Sequence, residues 1–170
     1  MELKDVILSR RSIRRYDSTV EVKDEDIKTI LTAAMHAPSA RNTRPWEFIV
    51  IKNKEIKERL VAAHPYARMI LESDVVICVV ARPDLQEGSC SLFFPQDCGA
   101  ATQNILLQAY DLGYGTCWCG VYPNEERVKL VSEVLDIKVG IPFNLIALGK
   151  ANETPAARGY YDETRVKVLK

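Results

Sequence analysis

Seven consecutive apolar residues, Val75 to Ala81, constrain this 170-residue chain more than any other stretch. The run is far shorter than the roughly 20 apolar residues that a helix needs to cross a bilayer. It is rich in β-branched residues and lies between Ser73-Asp74 and Arg82-Pro83, so it reads as a buried strand. Phe48 to Ile51 reads as a second strand, and the helix carrying Ile56 and Leu60 lies between the two. Upstream, Asp24-Glu25-Asp26 opens a helix in which Ile27, Ile30, Leu31, Ala34 and Met35 recur at helical spacing, ending near Pro38. Downstream, Ala101, Ile105, Leu106 and Ala109 mark a helix from about Asp97 to Leu112, stopped by Gly113. Tyr114 to Val121 is extended, a helix from Pro123-Asn124 turns Val128, Val131 and Leu135 inward, and Phe143 to Leu148 is another strand. Helices alternating with short strands suggest, as a pattern alone, a parallel doubly wound sheet.

Nearly half the residues are apolar (47%) and 27% are charged, the balance of a soluble globular domain. Acids and bases number 23 each, so no broad basic face for nucleic acid is implied. Met1-Glu2-Leu3-Lys4-Asp5 lacks the apolar core of a signal peptide, which makes a cytoplasmic location the expectation. Five cysteines without a Cys-x-x-Cys pair argue against a disulfide framework and against a metal site. In Cys117-Trp118-Cys119 the two sulfurs share a face if the segment is extended, which leaves redox chemistry open beside the plainer reading of small buried side chains. His36 and His64 have no acidic or thiol partner nearby in sequence, so neither is marked as catalytic.

Against this neutral background, Arg10-Arg11-Ser12-Ile13-Arg14-Arg15 packs four guanidinium groups into six residues. Guanidinium is planar, forked and always protonated, and it suits phosphate or carboxylate better than lysine does. A second segment, Pro38-Ser39-Ala40-Arg41-Asn42-Thr43-Arg44-Pro45-Trp46, restricts the chain with two prolines and offers short polar side chains. A third, Gly113 to Gly120, carries three glycines that allow close approach of backbone to a ligand or another element.

In this order and spacing, with Arg158 in the tail, these segments resemble the nitroreductase family of flavin mononucleotide (FMN) enzymes, over essentially the whole chain. The resemblance implies an α+β, three-layer α/β/α fold of one domain, residues 1–170. Its central sheet is expected to be mixed and largely antiparallel, with an arm from about residue 150 to 170 exchanged in a homodimer. It also implies roles. Arg10 and Ser12, with Arg11 close by, would contact the FMN phosphate and ribityl chain, and Arg158 would complete the phosphate site. Arg14 would lie near the flavin N1 and O2 edge. Pro38, Ser39, Ala40 and Asn42 would reach the cofactor of the partner subunit, while Trp118, Cys119, Gly120 and Val121 would lie along the ring with an N–H near Gly120 facing N5. No protein residue is assigned as general acid or base, because the flavin carries the chemistry.

The implied activity is NADH- or NADPH-dependent reduction of a nitroaromatic, a quinone or a similar small acceptor. A specialised flavin enzyme performing dehalogenation or cofactor breakdown, and a non-catalytic flavin-binding protein, remain alternatives. Arg44 departs from the family pattern, adding a cation that would favour an anionic substrate or pair with a surface acid. Residues 82 to 96, with Cys90, Phe93 and Phe94, make a short excursion that implies an open pocket. Tyr160 to Leu169 could add a strand outside the apparent core.

Overall fold

The computed structural model describes residues 1–169; Lys170, the end of the expected arm, lies outside the described residues. The run that dominates the sequence is the middle of the sheet. Strand β1 is Tyr16–Asp17, β2 Trp46–Ile51, β3 Val75–Ala81, β4 Gly115–Gly120 and β5 Ile141–Ala151. β3 lies between β2 and β5, and all of its residues are buried. Val75, Ile77, Val79 and Ala81 enter one core, and Val76, Cys78 and Val80 enter the other. A strand covered on both faces has no reason to alternate polar with apolar residues, which explains the unbroken run.

Helix α1 is Leu3–Ser9, α2 Asp24–Met35, α3 Lys54–Ala63, α4 Phe94–Asp111 and α5 Glu125–Leu135. Ile27, Ile30 and Ala34 of α2 and Cys98, Ala101 and Ile105 of α4 fill the first core. Leu60 of α3, Val131 of α5 and the turn carrying Ala67 and Ile70 fill the second. The result is the expected three-layer α/β/α arrangement. Asn53 and Asn124 start α3 and α5 by accepting the N–H of Ile56 (3.0 Å) and Arg127 (2.9 Å).

Pattern alone suggested parallel strands, and the structure corrects that. β2 with β3, β3 with β5, β4 with β5 and β1 with β5 are all antiparallel. The one parallel contact among the described residues is an isolated bridge between Ser12 and Thr116. Hydrophobic spacing carries no strand direction, and the extra 3-10 leg Pro65–Leu71 turns the chain once more between α3 and β3. Since β3 and β4 pair with overlapping residues of β5, they occupy its opposite edges. β4 is therefore an edge strand.

Among the described residues, no strand follows β5. Residues 160–169 contain one 3-10 turn, Glu163–Arg165, so the added strand expected there does not form within the chain. Leu3, Ile7 and Leu8 of α1, Met35, Leu92, Phe93 and Leu169 stand exposed. Among the described residues, no helix is long and apolar enough to cross a membrane.

The start of β4 depends on a close approach. A Cβ on Gly115 would lie 2.7 Å from Cγ1 of Ile13, whose side chain is buried against the strand. Gly115→Ala is expected to cost about 1–3 kcal/mol, the usual range for overpacking. Gly120→Ala, where no atom lies within 4 Å of the new carbon, should stay within about 0.5 kcal/mol. Urea denaturation of both variants checks this, and equal midpoints would contradict it.

Candidate functional site

The arginine cluster lies along the free edge of β4. After α1, the N–H of Arg10 returns to Val6 O (3.0 Å), and the N–H of Ile13 donates to Thr116 O (2.9 Å). The extended segment turns Ile13 inward, leaves Arg14 and Arg15 exposed, and leaves Arg10, Arg11 and Ser12 half-buried. Glu153 pins it from the root of the arm: one carboxylate oxygen accepts the N–H of Arg14 and that of Arg15 (3.2 Å). Asn152 N–H donates to Arg15 O (3.0 Å), and the Arg11 guanidinium donates to Ala156 O. The arm is thus tied to the cluster before it leaves the body with Arg158 exposed.

A cavity of about 420 Å³ opens beside this segment, with Arg14 on one side and Trp118, Cys119, Gly120 and Val121 on the other. Among the described residues lining it there is no carboxylate, while Arg14 and Arg127 both face it. The backbone of β4 presents donors here. Thr116 O is taken by Ile13 and Gly120 O by His64, so both carbonyls point away from β5. In a strand the N–H and C=O of one residue point to the same side, and the side alternates along the chain. Trp118 and Gly120 therefore also direct their N–H groups to the open edge. Past the end of the strand, Val121 and Tyr122 both donate to Phe143 O of β5 (3.1 Å each).

His64 closes the inner side of this cavity, a role its isolation in sequence gave no sign of. It is 3% exposed, and its Nε2 lies 2.9 Å from Gly120 O. A carbonyl only accepts, so Nε2 carries the hydrogen and the neutral ring has a bare Nδ1. That Nδ1 is buried and has no partner among the described residues. Burial pushes the imidazole pKa down, the Gly120 bond opposes this, and Arg127 adds to it. Arg127 itself lies over the Tyr66 ring, 5.2 Å from its centroid.

Cys117 and Cys119 share the inner face of β4 and are both free. Cys119 Sγ lies 3.5 Å from Met69 Sδ. The neighbouring Cys119 thiol lowers the Cys117 pKa, burial opposes it, and the Arg14 charge assists; Cys119 is pushed up by Cys117 and by burial. Among the described residues, no group of three or more His, Cys, Asp or Glu is placed to hold a metal ion.

Pro38 and Asn42 do not reach this cavity in their own chain. They line a separate one of about 450 Å³ with His36 and Arg44, while Ser39 and Ala40 are half-buried at its edge. The loop is strained: Arg41 (φ 51°), Asn42 (φ 56°) and Arg44 (φ 50°) are left-handed without being glycine. Each such residue costs on the order of 1–3 kcal/mol and persists only where its surroundings fix it. Arg44 donates its N–H to Ser39 Oγ (2.9 Å) and its Nε–H to Asn42 Oδ1 (3.2 Å). Among the described residues it pairs within the loop and with no surface acid. Phe93 is exposed, whereas Phe94 is a core residue packed edge-on to Tyr122 at 5.1 Å.

Comparison with known proteins adds a family. The model of the Nitroreductase family matches residues 7–64 and 62–150. A protein of Methanothermobacter thermautotrophicus, provisionally named NADH dehydrogenase/NAD(P)H nitroreductase, is 42% identical over 171 residues, covering 100% of this chain and 88% of its own length. A crystal structure from Parabacteroides distasonis with the same provisional name superposes with a TM-score of 0.93 at 30% identity, covering 100% of this chain and 99% of the other. An FMN-dependent nitroreductase from Clostridium difficile superposes with a TM-score of 0.87 at 28% identity, covering 98% and 99%.

The His64 environment has a pH signature. An unfolded histidine titrates near about 6.5, while the folded pKa is lowered, so below that pH the unfolded chain binds a proton that the native state refuses. The contribution of His64 to stability is present above about pH 6.5 and is lost as the pH falls toward the folded pKa. Denaturation between pH 8 and pH 5 should show a shallower decline for His64→Asn than for the parent. An NMR titration placing the His64 midpoint at or above 6.5 would contradict the assignment.

Proposed function

The chain belongs to the nitroreductase family, and from that premise we propose that it works as a homodimeric, FMN-dependent NAD(P)H oxidoreductase reducing small nitroaromatic, quinone or similar acceptors. The observation that carries this reading is the open edge of β4: the Gly120 N–H directed outward, with open space where its Cβ would be, in a cationic cavity that also holds Arg14. A flat ring whose reactive atom is a hydrogen-bond acceptor fits such an edge. A group that gains negative charge when reduced fits a cavity with two arginines and no carboxylate among its described lining.

When bound, FMN supplies two-electron chemistry at N5, accepting hydride from a reduced nicotinamide and delivering it to the acceptor. The residues of the chain bind and tune. Arg10, Arg11, Ser12 and, from the arm, Arg158 hold the phosphate and ribityl chain. Arg14 stands at the pyrimidine edge, where a fixed cation favours the reduced state. Trp118, Cys119, Gly120 and Val121 form the wall beneath the ring, with Gly120 donating toward N5. His64, held neutral, takes the Gly120 carbonyl on that same edge and so fixes the residue that donates.

Pro38, Ser39, Ala40 and Asn42 complete the site from the partner subunit. Their separation from the Arg14 cavity within one chain supports this division, as do the exposed apolar residues of α1 and of Leu92-Phe93. Residues 1–170 form one domain, and the segment from about 150 onward crosses to the partner. A reduced nicotinamide as donor fits a cytoplasmic location.

Purified protein should be yellow, with two FMN per dimer, and should bleach anaerobically on titration with NADH or NADPH. Colourless protein that ignores added FMN would overturn the reading. Arg10→Ala should weaken FMN binding about 10- to 100-fold, the value of one charge-assisted contact. Arg14→Ala should shift the two-electron potential of bound FMN negative by about 30–60 mV, the same energy expressed as a potential. Spectroelectrochemistry and fluorescence titration separate the two, and identical effects would contradict the assigned roles.

A further inference from the structure

The strained loop is braced from outside by two buried polar residues that the family resemblance left unassigned. Asp97, in the first turn of α4, and Gln86, after the 3-10 turn Pro83–Leu85, are each 6% exposed. Asp97 Oδ1 accepts the N–H of Ala40 at 3.0 Å. Asp97 Oδ2 accepts from Gln86 Nε2 at 2.9 Å, and the same Nε2 donates to Thr43 Oγ1 at 3.0 Å. Thr43 Oγ1 in turn donates to Ala40 O at 2.8 Å.

Every polarity in this circuit follows from Asp97. Its two oxygens both accept, so Gln86 must present its amide nitrogen. That nitrogen then spends its second hydrogen on Thr43, whose hydroxyl must turn its own hydrogen to Ala40 O. The orientation is kept although it leaves Gln86 Oε1 buried without a partner among the described residues. Among those residues Asp97 also has no cation within salt-bridge distance. A buried carboxylate held by donors alone is an expensive way to fill a core, and here two of the three residues it reaches directly or through Gln86, Ala40 and Thr43, belong to the strained loop.

We propose that Asp97 and Gln86 are positioning residues: they hold the 40–44 loop, with Arg41, Asn42 and Arg44 left-handed, so that Ser39, Ala40 and Asn42 face the FMN of the neighbouring subunit. The role rests on the function proposed above. Neither residue lines the Arg14 cavity or the cavity of the loop. They act by removing the disorder that the loop would otherwise lose on binding.

The test compares Asp97→Leu, Asp97→Asn and Gln86→Leu with the parent, by amide hydrogen exchange of the FMN-free dimer and by FMN titration. Asp97→Leu should speed exchange across residues 40–44 while leaving residues 116–120 unchanged, and should weaken FMN binding about tenfold or more. Asp97→Asn keeps an oxygen for Ala40, and Gln86 can turn its amide so that Oε1 accepts from the new side chain; it should retain most of the affinity. Gln86→Leu, which leaves the Ala40 anchor in place, should lie between them and serves if Asp97→Leu does not fold. Faster loop exchange with unchanged FMN affinity would overturn the positioning role, and unchanged exchange in both leucine variants would overturn the brace. If the parent takes up no FMN, the functional reading fails and the cofactor part of this proposal with it, while the exchange arm still decides whether the pair holds the loop.

Discussion

An edge strand must either pair its outward backbone groups or leave them available, and β4 does both along six residues. At its start, Ile13 closes on Thr116; at its end, His64 takes the carbonyl of Gly120. Between and beyond these two caps the N–H groups of Trp118 and Gly120 remain directed outward. The arrangement requires Gly115 to admit Ile13, Ile13 to carry Arg14 to the rim, and Glu153 to hold the backbone of Arg14 and Arg15 from the root of the arm. One contact line thus joins the N-terminal cluster, the edge strand and the C-terminal arm.

The second half of the site follows a different logic. The loop after α2 stores strain in Arg41, Asn42 and Arg44, and it faces a cavity of its own. Strain that is expensive to keep and idle within one chain is intelligible if the loop serves a neighbour, as in a two-fold dimer in which each subunit completes the other's site. The dithiol face of β4 points instead into the core with Met69, where the plainer reading of small buried side chains describes it well.

Much of the scaffold was legible in the sequence. Val75 to Ala81 reads as a buried strand and is one, and Asp24-Glu25-Asp26 marks the start of α2, which ends at Met35, short of the Pro38 that the sequence suggests. Strand direction was not legible from spacing, because a helix between two strands does not say how many further turns the chain makes; only the family resemblance supplied the antiparallel sheet. The arginine cluster stood out because local charge is conspicuous in a neutral chain. His64, Glu153, Asp97 and Gln86 did not, for a shared reason. Three of them act chiefly on backbone groups, at separations of 56 residues for His64 to Gly120, 57 for Asp97 to Ala40 and 139 for Glu153 to Arg14, and a backbone donor or acceptor leaves no mark in a sequence. Gln86 bonds side chains, but its partners Thr43 and Asp97 are also distant along the chain.

The central claim is that one working site is assembled from two chains, the arginine cluster and β4 of one and the Pro38–Arg44 loop of the other. Subunit mixing tests it most directly. A variant disabled at Arg10, Arg11 and Ser12, the cluster residues assigned to the phosphate and ribityl chain, is co-refolded with a second variant carrying a shortened Pro38–Arg44 loop, each being unable to retain FMN alone. The account predicts that the hybrid dimer regains one FMN and one reducible site, because one of its two sites joins an intact cluster to an intact loop. Hybrids that form but stay colourless, or a loop variant that binds FMN normally by itself, would contradict it.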